Sequence, residues 1–152
     1  MRHRSGFPRV ARGDDERGFT LIELLVVVVI IGILIAIAIP VYLNYQKGAK
    51  DKSAQSDLRN ATAVLELCNS DNGSYPSSLG TAASNAYAAM TGCAGQKITY
   101  STGTTLVYTP PAAGNASYML TASNSGGKPT YYCYNSAIGG SIKTVASAAA
   151  TC

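Results

Sequence analysis

Few residues in this chain have types and spacing that could carry out catalysis. Catalysis needs a nucleophile with a base, a metal cluster or a phosphate cradle. The single histidine, His3, lies in the basic N-terminal segment, and no Walker-type loop or G-x-G-x-x-G pattern is present. Of the acids beyond residue 18, all but Asp71 fall in one predicted helix, which argues against a cluster of carboxylates for calcium. We expect no enzymatic activity, no cofactor and no metal site.

Two features with chemical consequences remain, a lone carboxylate and a set of cysteines. Glu23 is the one charge in the 21-residue apolar run 19–39. A carboxylate costs about 2.5 to 3.5 kcal/mol at the centre of a membrane helix and less near its end, so Glu23 requires a partner. The cysteines form no C-x-x-C pair, which favours disulfides in an oxidising compartment over zinc or redox chemistry. They are Cys68, Cys93, Cys133 and Cys152.

The apolar run is long enough to cross a bilayer, since 21 helical residues span about 31 Å. A permanent anchor, a cleaved signal peptide and a buried core helix are the competing interpretations. Ala36 and Ala38 form an A-x-A pattern that a signal peptidase could use, but the run exceeds the roughly 7 to 15 residues of a signal peptide. The buried carboxylate also favours a retained, functional helix.

The charge distribution predicts the orientation of this helix. Five arginines precede residue 19, which places the N-terminus in the cytoplasm under the positive-inside rule. Lys47, Lys50 and Lys52 on the other side weaken this asymmetry, and the cysteines place the C-terminal part outside. Beyond Gly18 the balance is seven basic against five acidic residues, so nucleic-acid binding is possible but not indicated.

The sequence beyond Pro40 predicts one small α+β domain. Helical spacing puts an apolar face on the continuing helix, and Asn72-Gly73 offers a left-handed stop. Short Thr- and Tyr-rich segments then predict an antiparallel sheet whose tyrosines pack their rings on the helix while their hydroxyls reach water. The face is Ala54, Leu58, Ala61, Leu65 and Cys68, and the strands are 97–101, 104–109, 117–122 and 130–134.

Four cysteines permit three pairings, and the sequence does not choose among them. We expect adjacent pairing, Cys68 with Cys93 and Cys133 with Cys152. Each bridge would contribute about 3 kcal/mol in the chain-entropy model. The second bridge would staple the C-terminal loop.

The segment Arg17-Gly18-Phe19-Thr20-Leu21-Ile22-Glu23, followed by an apolar run that ends at Pro40, resembles the N-terminus of type IV pilins and pseudopilins. A looser match extends through 72–76. The resemblance implies that a prepilin peptidase cuts between Gly18 and Phe19 and that the new amine of Phe19 is methylated. It implies that Glu23 meets the N-terminal amine of a neighbouring subunit during assembly. Pro40 lacks an N–H and its ring clashes with the carbonyl of Ala36, and Gly32 weakens the same helix, so we expect a kink or local opening there. The resemblance implies that this region is partly unwound in the assembled core.

On this resemblance, residues 1–18 are a cytoplasmic leader, 19–43 a transmembrane and filament-core helix, and 44–152 an extracytoplasmic head. The precursor is then a single-pass protein of the inner membrane, and the mature chain is a structural subunit of an extracellular pilus. Its partners are other copies of itself, the prepilin peptidase, and an assembly platform with its motor. The alternatives are a type II secretion pseudopilin or a minor pilin that binds DNA or a surface through Lys97, Lys128 and Lys143.

Overall fold

A computed structural model describes residues 18–79, 87–93, 95–112, 116–148 and 152. The chain divides into two compact units, with the boundary between Ile39 and Pro40. We call the second of these, Pro40–Cys152, the head unit. Helix α1 runs over Leu21–Asn72, so its residues belong to both units. The six strands that the structure describes lie in the head unit.

The first part of α1, up to Ile39, has the length and composition of a membrane span. Its most apolar window has a mean hydropathy of 3.4. The large apolar side chains are all exposed, from 48% at Ile31 to 88% at Leu21. A helix satisfies its backbone hydrogen bonds internally, which is the condition for a single segment to be stable in lipid.

The second part of α1 packs one face into the head, as predicted. The five residues of this face are completely buried: Ala54, Leu58, Ala61, Leu65 and Cys68. The helix ends at Asn72, where Gly73 adopts a left-handed φ of 70° and donates its N–H to the carbonyl of Asn69 at 2.8 Å. Glycine adopts this conformation without a Cβ penalty, so the predicted stop is confirmed.

The strands form two antiparallel sheets. A pair consists of β1 (Tyr87–Ala89) and β2 (Lys97–Thr99), and a four-stranded sheet has the order β3-β4-β5-β6, with β3 (Thr104–Thr109), β4 (Met119–Asn124), β5 (Tyr131–Asn135) and β6 (Lys143–Val145). The predicted strands correspond to β2 to β5, whereas β1 and β6 were not predicted. The α+β class, with a long N-terminal helix and a small antiparallel sheet, is confirmed.

One apolar core joins α1 to both sheets. Leu58 and Leu65 of the helix pack in the same cluster as Ile98 of β2 and Leu120 of β4, and all four are fully buried. Burying each such side chain stabilises the fold by about 1.5 to 3 kcal/mol. Tyr118 also belongs to this cluster and contributes its large aromatic ring. The chain has no tryptophan that could take this role.

The other face of the four-stranded sheet is buried at its centre, whereas Val107 of β3 on the same face is 41% exposed. Thr121 of β4 and Cys133 of β5 are cross-strand neighbours and both are buried. Successive side chains on a strand point to opposite faces, so this pair lies away from Leu120. The disulfide from Cys133 to Cys152 brings the C-terminus to this face.

Two buried aspartates on α1 hold loops of the head by hydrogen bonds. Asp57 accepts from both the backbone N–H and the hydroxyl of Ser101, each at 2.9 Å. Asp51 accepts from the backbone N–H of Lys128 at 3.0 Å. A buried carboxylate without such donors would destabilise the fold, so these bonds fix where the two loops lie on the helix.

A third acid of α1, Glu66, organises a cluster of tyrosines. It accepts from the hydroxyl of Tyr118 at 2.8 Å and of Tyr75 at 2.9 Å, while the hydroxyl of Tyr108 donates to the carbonyl of Pro76 at 2.8 Å. The ring centroids of Tyr118 and Tyr75 are 4.8 Å apart. Tyrosine hydroxyls were predicted to reach water, but these three bind acceptors of the protein because their rings lie in or against the core.

We expect Leu65→Ala to destabilise the head by about 2 to 5 kcal/mol, because it leaves a cavity beside a fully buried helix face. Leu67→Ala is the matched control, since Leu67 lies on the same helix and is 53% exposed. Thermal unfolding of the detergent-solubilised chain, followed by the circular dichroism of the tyrosines, gives both midpoints. Equal midpoints for the two variants would contradict the assigned core face.

The tyrosine cluster predicts a loss of stability in alkali. Burial, followed by the hydrogen bond to Glu66, raises the pKa of Tyr75 to about 12 and also raises the pKa of Tyr118. A raised pKa means that folding favours the protonated phenol, so this stability is present below the ordinary pKa of 10.0 and is lost as the pH rises above it. The unfolding midpoint should therefore fall steeply from pH 10 upward.

The matched variant for this prediction is Tyr118→Phe, which keeps the ring and removes the titrating hydroxyl. Its unfolding midpoint should be lower than that of the wild type at neutral pH and should depend less on pH in alkali. Measurement of the midpoint across the alkaline range in both proteins tests this. Identical alkaline slopes would show that Tyr118 titrates normally.

Candidate functional site at the helix N-terminus

Helix α1 begins with a reciprocal cap between Thr20 and Glu23. The Glu23 Oε2 accepts from the backbone N–H of Thr20 at 2.9 Å and from its hydroxyl at 2.8 Å. The Thr20 Oγ1 in turn accepts from the backbone N–H of Glu23 at 3.3 Å. This is a capping box, which satisfies N–H groups that the first helical turn leaves without partners. The carboxylate at 23 thus has a local partner in the isolated chain.

The geometry leaves part of this carboxylate available. Both contacts from Thr20 end on Oε2, so Oε1 keeps its lone pairs for a further donor. Around it, Phe19, Ile22, Val26 and Val27 join Glu23 in lining a shallow groove of about 430 Å³. In the isolated chain these residues are all exposed, so a cation could approach the carboxylate beside apolar side chains.

The peptide bond between Gly18 and Phe19 precedes the helix and is accessible. Gly18, Phe19 and Thr20 are exposed and lie outside α1. A Cβ at position 18 would meet no atom within 4 Å, and the φ of Gly18 lies outside the left-handed region. The fold therefore does not require glycine here, so any need for it comes from what acts on this bond.

Gly32 and Pro40 both lie inside α1, and the helix is continuous across them. A Cβ at Gly32 would also meet no atom within 4 Å. Proline lacks the N–H that would bind the carbonyl of Ala36, so the helix is weaker at this turn. A kink at Gly32 and Pro40 in an assembled filament stays a prediction.

The four cysteines form two disulfides in the head unit. Cys68 of α1 is bonded to Cys93, and Cys133 of β5 is bonded to Cys152, with Cα atoms 5.6 Å and 5.8 Å apart respectively. The first bridge ties the end of the helix to the segment before β2. The second ties the C-terminal residue to the four-stranded sheet.

The three lysines considered for surface binding lie on different elements. Lys97 is in β2, Lys143 is in β6, and Lys128 lies in the loop between β4 and β5. Among the described residues, no group of three or more His, Cys, Asp or Glu side chains is placed to hold a metal ion.

Sequence reasoning assigned Glu23 to assembly but missed its local bond to Thr20. The signal was present in the sequence as the Thr20-x-x-Glu23 pattern before an apolar run, which predicts a capping box. It also missed Asp51, Asp57 and Glu66 as acceptors for the head. Their partners lie 77, 44 and 52 residues away, and no local pattern indicates such pairs.

Residues 14–39 match the family model of the prokaryotic N-terminal methylation motif. The chain is 43% identical over 63 residues to type II secretion system core protein G of Pseudomonas aeruginosa, which is 41% of this chain and 44% of that protein. It is 56% identical over 52 residues to the type IV major pilin protein PilA of Myxococcus xanthus, which is 34% of this chain and 24% of that protein. It is 52% identical over 61 residues to prepilin peptidase-dependent protein D of Escherichia coli, which is 40% of this chain and 41% of that protein.

These matches cover less than half the length of each relative. The matches cover at most 41% of this chain, and the methylation motif within it spans residues 14–39. This chain therefore carries the prokaryotic N-terminal methylation motif and, over part of its length, is similar to a type IV major pilin and to type II secretion core protein G.

Proposed function

We propose that this chain is a structural, non-enzymatic subunit of a type IV pilus-like filament that assembles through its apolar N-terminal helix. The observation that carries this proposal is the first part of α1, where a single carboxylate lies in a helix whose large apolar side chains are all exposed. Lipid or other copies of the helix must cover such a surface. The methylation motif supports covering by other copies of the helix, since the relatives of this chain include a major pilin.

In this proposal residues 1–18 are a leader that a prepilin peptidase removes by cutting between Gly18 and Phe19, after which the amine of Phe19 is methylated. The exposed, non-helical segment at this bond supports access by a peptidase. Residues 19–43 then form the membrane and filament-core helix, and 44–152 form the head. Two disulfides support an extracytoplasmic head and a cytoplasmic N-terminus.

Assembly would pair Glu23 of one subunit with the methylated amine of Phe19 of its neighbour. A methylated amine keeps its positive charge, and the Glu23 Oε1 remains available while Oε2 caps the helix. Once helices leave lipid for a packed protein core, a charge left alone is strongly disfavoured. The pair would therefore fix the register of neighbouring helices more than it would strengthen their packing.

The filament would be completed by machinery that this subunit does not contain. Its sequence has no nucleotide-binding loop, so extraction from the membrane requires a separate assembly platform and motor. The weak points of the helix at Gly32 and Pro40 would allow it to bend or open when the helices pack.

A type II secretion pseudopilin is the second candidate, favoured by the 43% identity to core protein G over the shared segment. Both candidates share processing, membrane insertion and packing of the N-terminal helix. They differ in where the protein accumulates. Abundance in filaments sheared from the cell surface favours a major pilin, whereas retention in the cell envelope favours a pseudopilin or minor subunit.

We predict that Glu23→Ala and Glu23→Gln both leave the chain inserted and processed but reduce its incorporation into filaments by at least about tenfold. Glutamine can still accept from Thr20 and keep the helix cap, but it leaves the amine of a neighbour without a countercharge. Immunoblots of sheared filaments and of membranes, with mass analysis of processing, measure both steps in cells that produce the filament.

Thr20→Val is the matched control, because it removes the hydroxyl of the cap and keeps the charge of Glu23. It should assemble within about fivefold of the wild type, since a cap contributes only about 1 kcal/mol. If Glu23→Gln assembled normally while Glu23→Ala and Thr20→Val failed, the helix cap rather than the charge pair would be the requirement for assembly.

A further inference from the structure

A group of exposed lysines lies directly beyond the apolar run, on the side of the head. Lys47, Lys50 and Lys52 lie within a span of six residues of α1, and all three are exposed. Lys47 is only four residues beyond Leu43, which corresponds to about 6 Å along a helix. Positive charge on this side opposes the orientation rule for membrane helices, so it calls for a separate explanation.

The fold of the head brings a fourth lysine to the same place. The loop between β4 and β5 reaches α1 at Asp51, which accepts the backbone N–H of Lys128 at 3.0 Å. In the same loop, Gly126 approaches Lys50 so closely that a Cβ there would lie 3.3 Å from the Lys50 Cγ. A side chain at Gly127 would collide with the Asp51 carboxylate. This loop is therefore built to lie against this turn of the helix.

We call Lys47, Lys50, Lys52 and Lys128 the lysine collar. The carboxylate of Asp51, between Lys50 and Lys52 in the sequence, is 6% exposed and accepts the backbone N–H of Lys128. The ammonium of Lys52 donates to the neutral side chain of Gln55 at 3.4 Å. Four exposed cations against one buried anion leave a clear positive excess at the base of the head.

Two tyrosines lie between the apolar run and the collar. Tyr42 is 61% exposed and Tyr45 is 76% exposed. Tyrosine is enriched where membrane helices enter the headgroup region, since its ring is apolar and its hydroxyl is polar. Along α1 the order is therefore apolar residues, then tyrosines, then lysines, which is the order of lipid tails, interface and headgroups.

We propose that the lysine collar binds the anionic phospholipid headgroups of the leaflet on the side of the head, and so holds the head against the membrane before assembly. Lysine stems extend along apolar surface while their ammonium groups reach the phosphates. Each lysine near an anionic surface contributes about 1 kcal/mol, or roughly fivefold, at physiological salt. This inference rests on the proposed insertion of α1 in the membrane and adds a lipid preference to it.

Competitive acylation of lysines by an amine-reactive ester, read by mass spectrometry, tests this on the full chain. The chain is reconstituted in vesicles of phosphatidylcholine alone or of phosphatidylcholine with phosphatidylglycerol. We expect the four collar lysines to react at least about fivefold more slowly in the anionic vesicles, and high salt to remove this difference. Lys143 in β6, which is exposed, should react equally in both.

Lys47→Gln and Lys143→Gln form a matched pair of variants that each remove one exposed positive charge. Only Lys47→Gln should weaken the protection of Lys52 and Lys128 in anionic vesicles. Equal reactivity of the collar in both kinds of vesicle, or protection by a DNA duplex but not by vesicles, would overturn the lipid assignment. Flotation of the vesicles distinguishes failure of the lipid preference from failure of membrane insertion. A chain that floats with neither kind of vesicle would contradict the insertion of α1 in the membrane.

Discussion

Hydrogen bonds to the acids of α1 are the interactions on which the rest of this structure depends. From Gly18 onward every acidic side chain lies on this helix, and each accepts a hydrogen bond. Glu23 caps the start of the helix, and the others bind loops and tyrosines of the head. A carboxylate in an apolar or buried setting is stable only with donors, so these acids determine which segments can lie where. The apolar core stabilises the head, and the acids orient it.

These separate roles explain how one helix can lie in lipid or a filament core at its first part and in the head at its second part. Its first part has a single polar side chain to satisfy, so it can be covered by lipid or by other helices with little change in hydrogen bonding. Its second part is committed to the head by buried side chains and by the bridge from Cys68 to Cys93. In the proposed assembly, a subunit exchanges lipid for protein around the first part without unfolding the second. The lysine collar lies where these two surroundings meet.

Local patterns in the sequence predicted much of this fold. The buried face of α1 followed from helical spacing, the stop at Gly73 from its left-handed preference, and β3 from its Thr- and Tyr-rich composition. Strands β1 and β6 were missed because the segments Tyr87–Ala89 and Lys143–Val145 have too little apolar alternation to be recognised. They form because neighbouring strands offer them a partner, which is a property of the tertiary structure.

The candidate site was predictable in position but not in geometry. The motif around Phe19 predicts a cleavage bond and singles out Glu23, and the Thr20-x-x-Glu23 pattern is the sequence signal for the helix cap, whereas the approach of Lys128 to Asp51 has no local signal. Long-range pairs of this kind depend on how the loop between β4 and β5 folds back on the helix. Their residue types alone are compatible with many other partners.

The most direct test of the account is the intact mass and N-terminal sequence of the chain recovered from cells and from their medium without reducing agent. The account predicts a chain that starts at methylated Phe19 and lacks four hydrogens, because both disulfides are formed. A chain that starts at Ile39 would mean that a signal peptidase removed the apolar run. A soluble secreted domain would then replace the filament subunit.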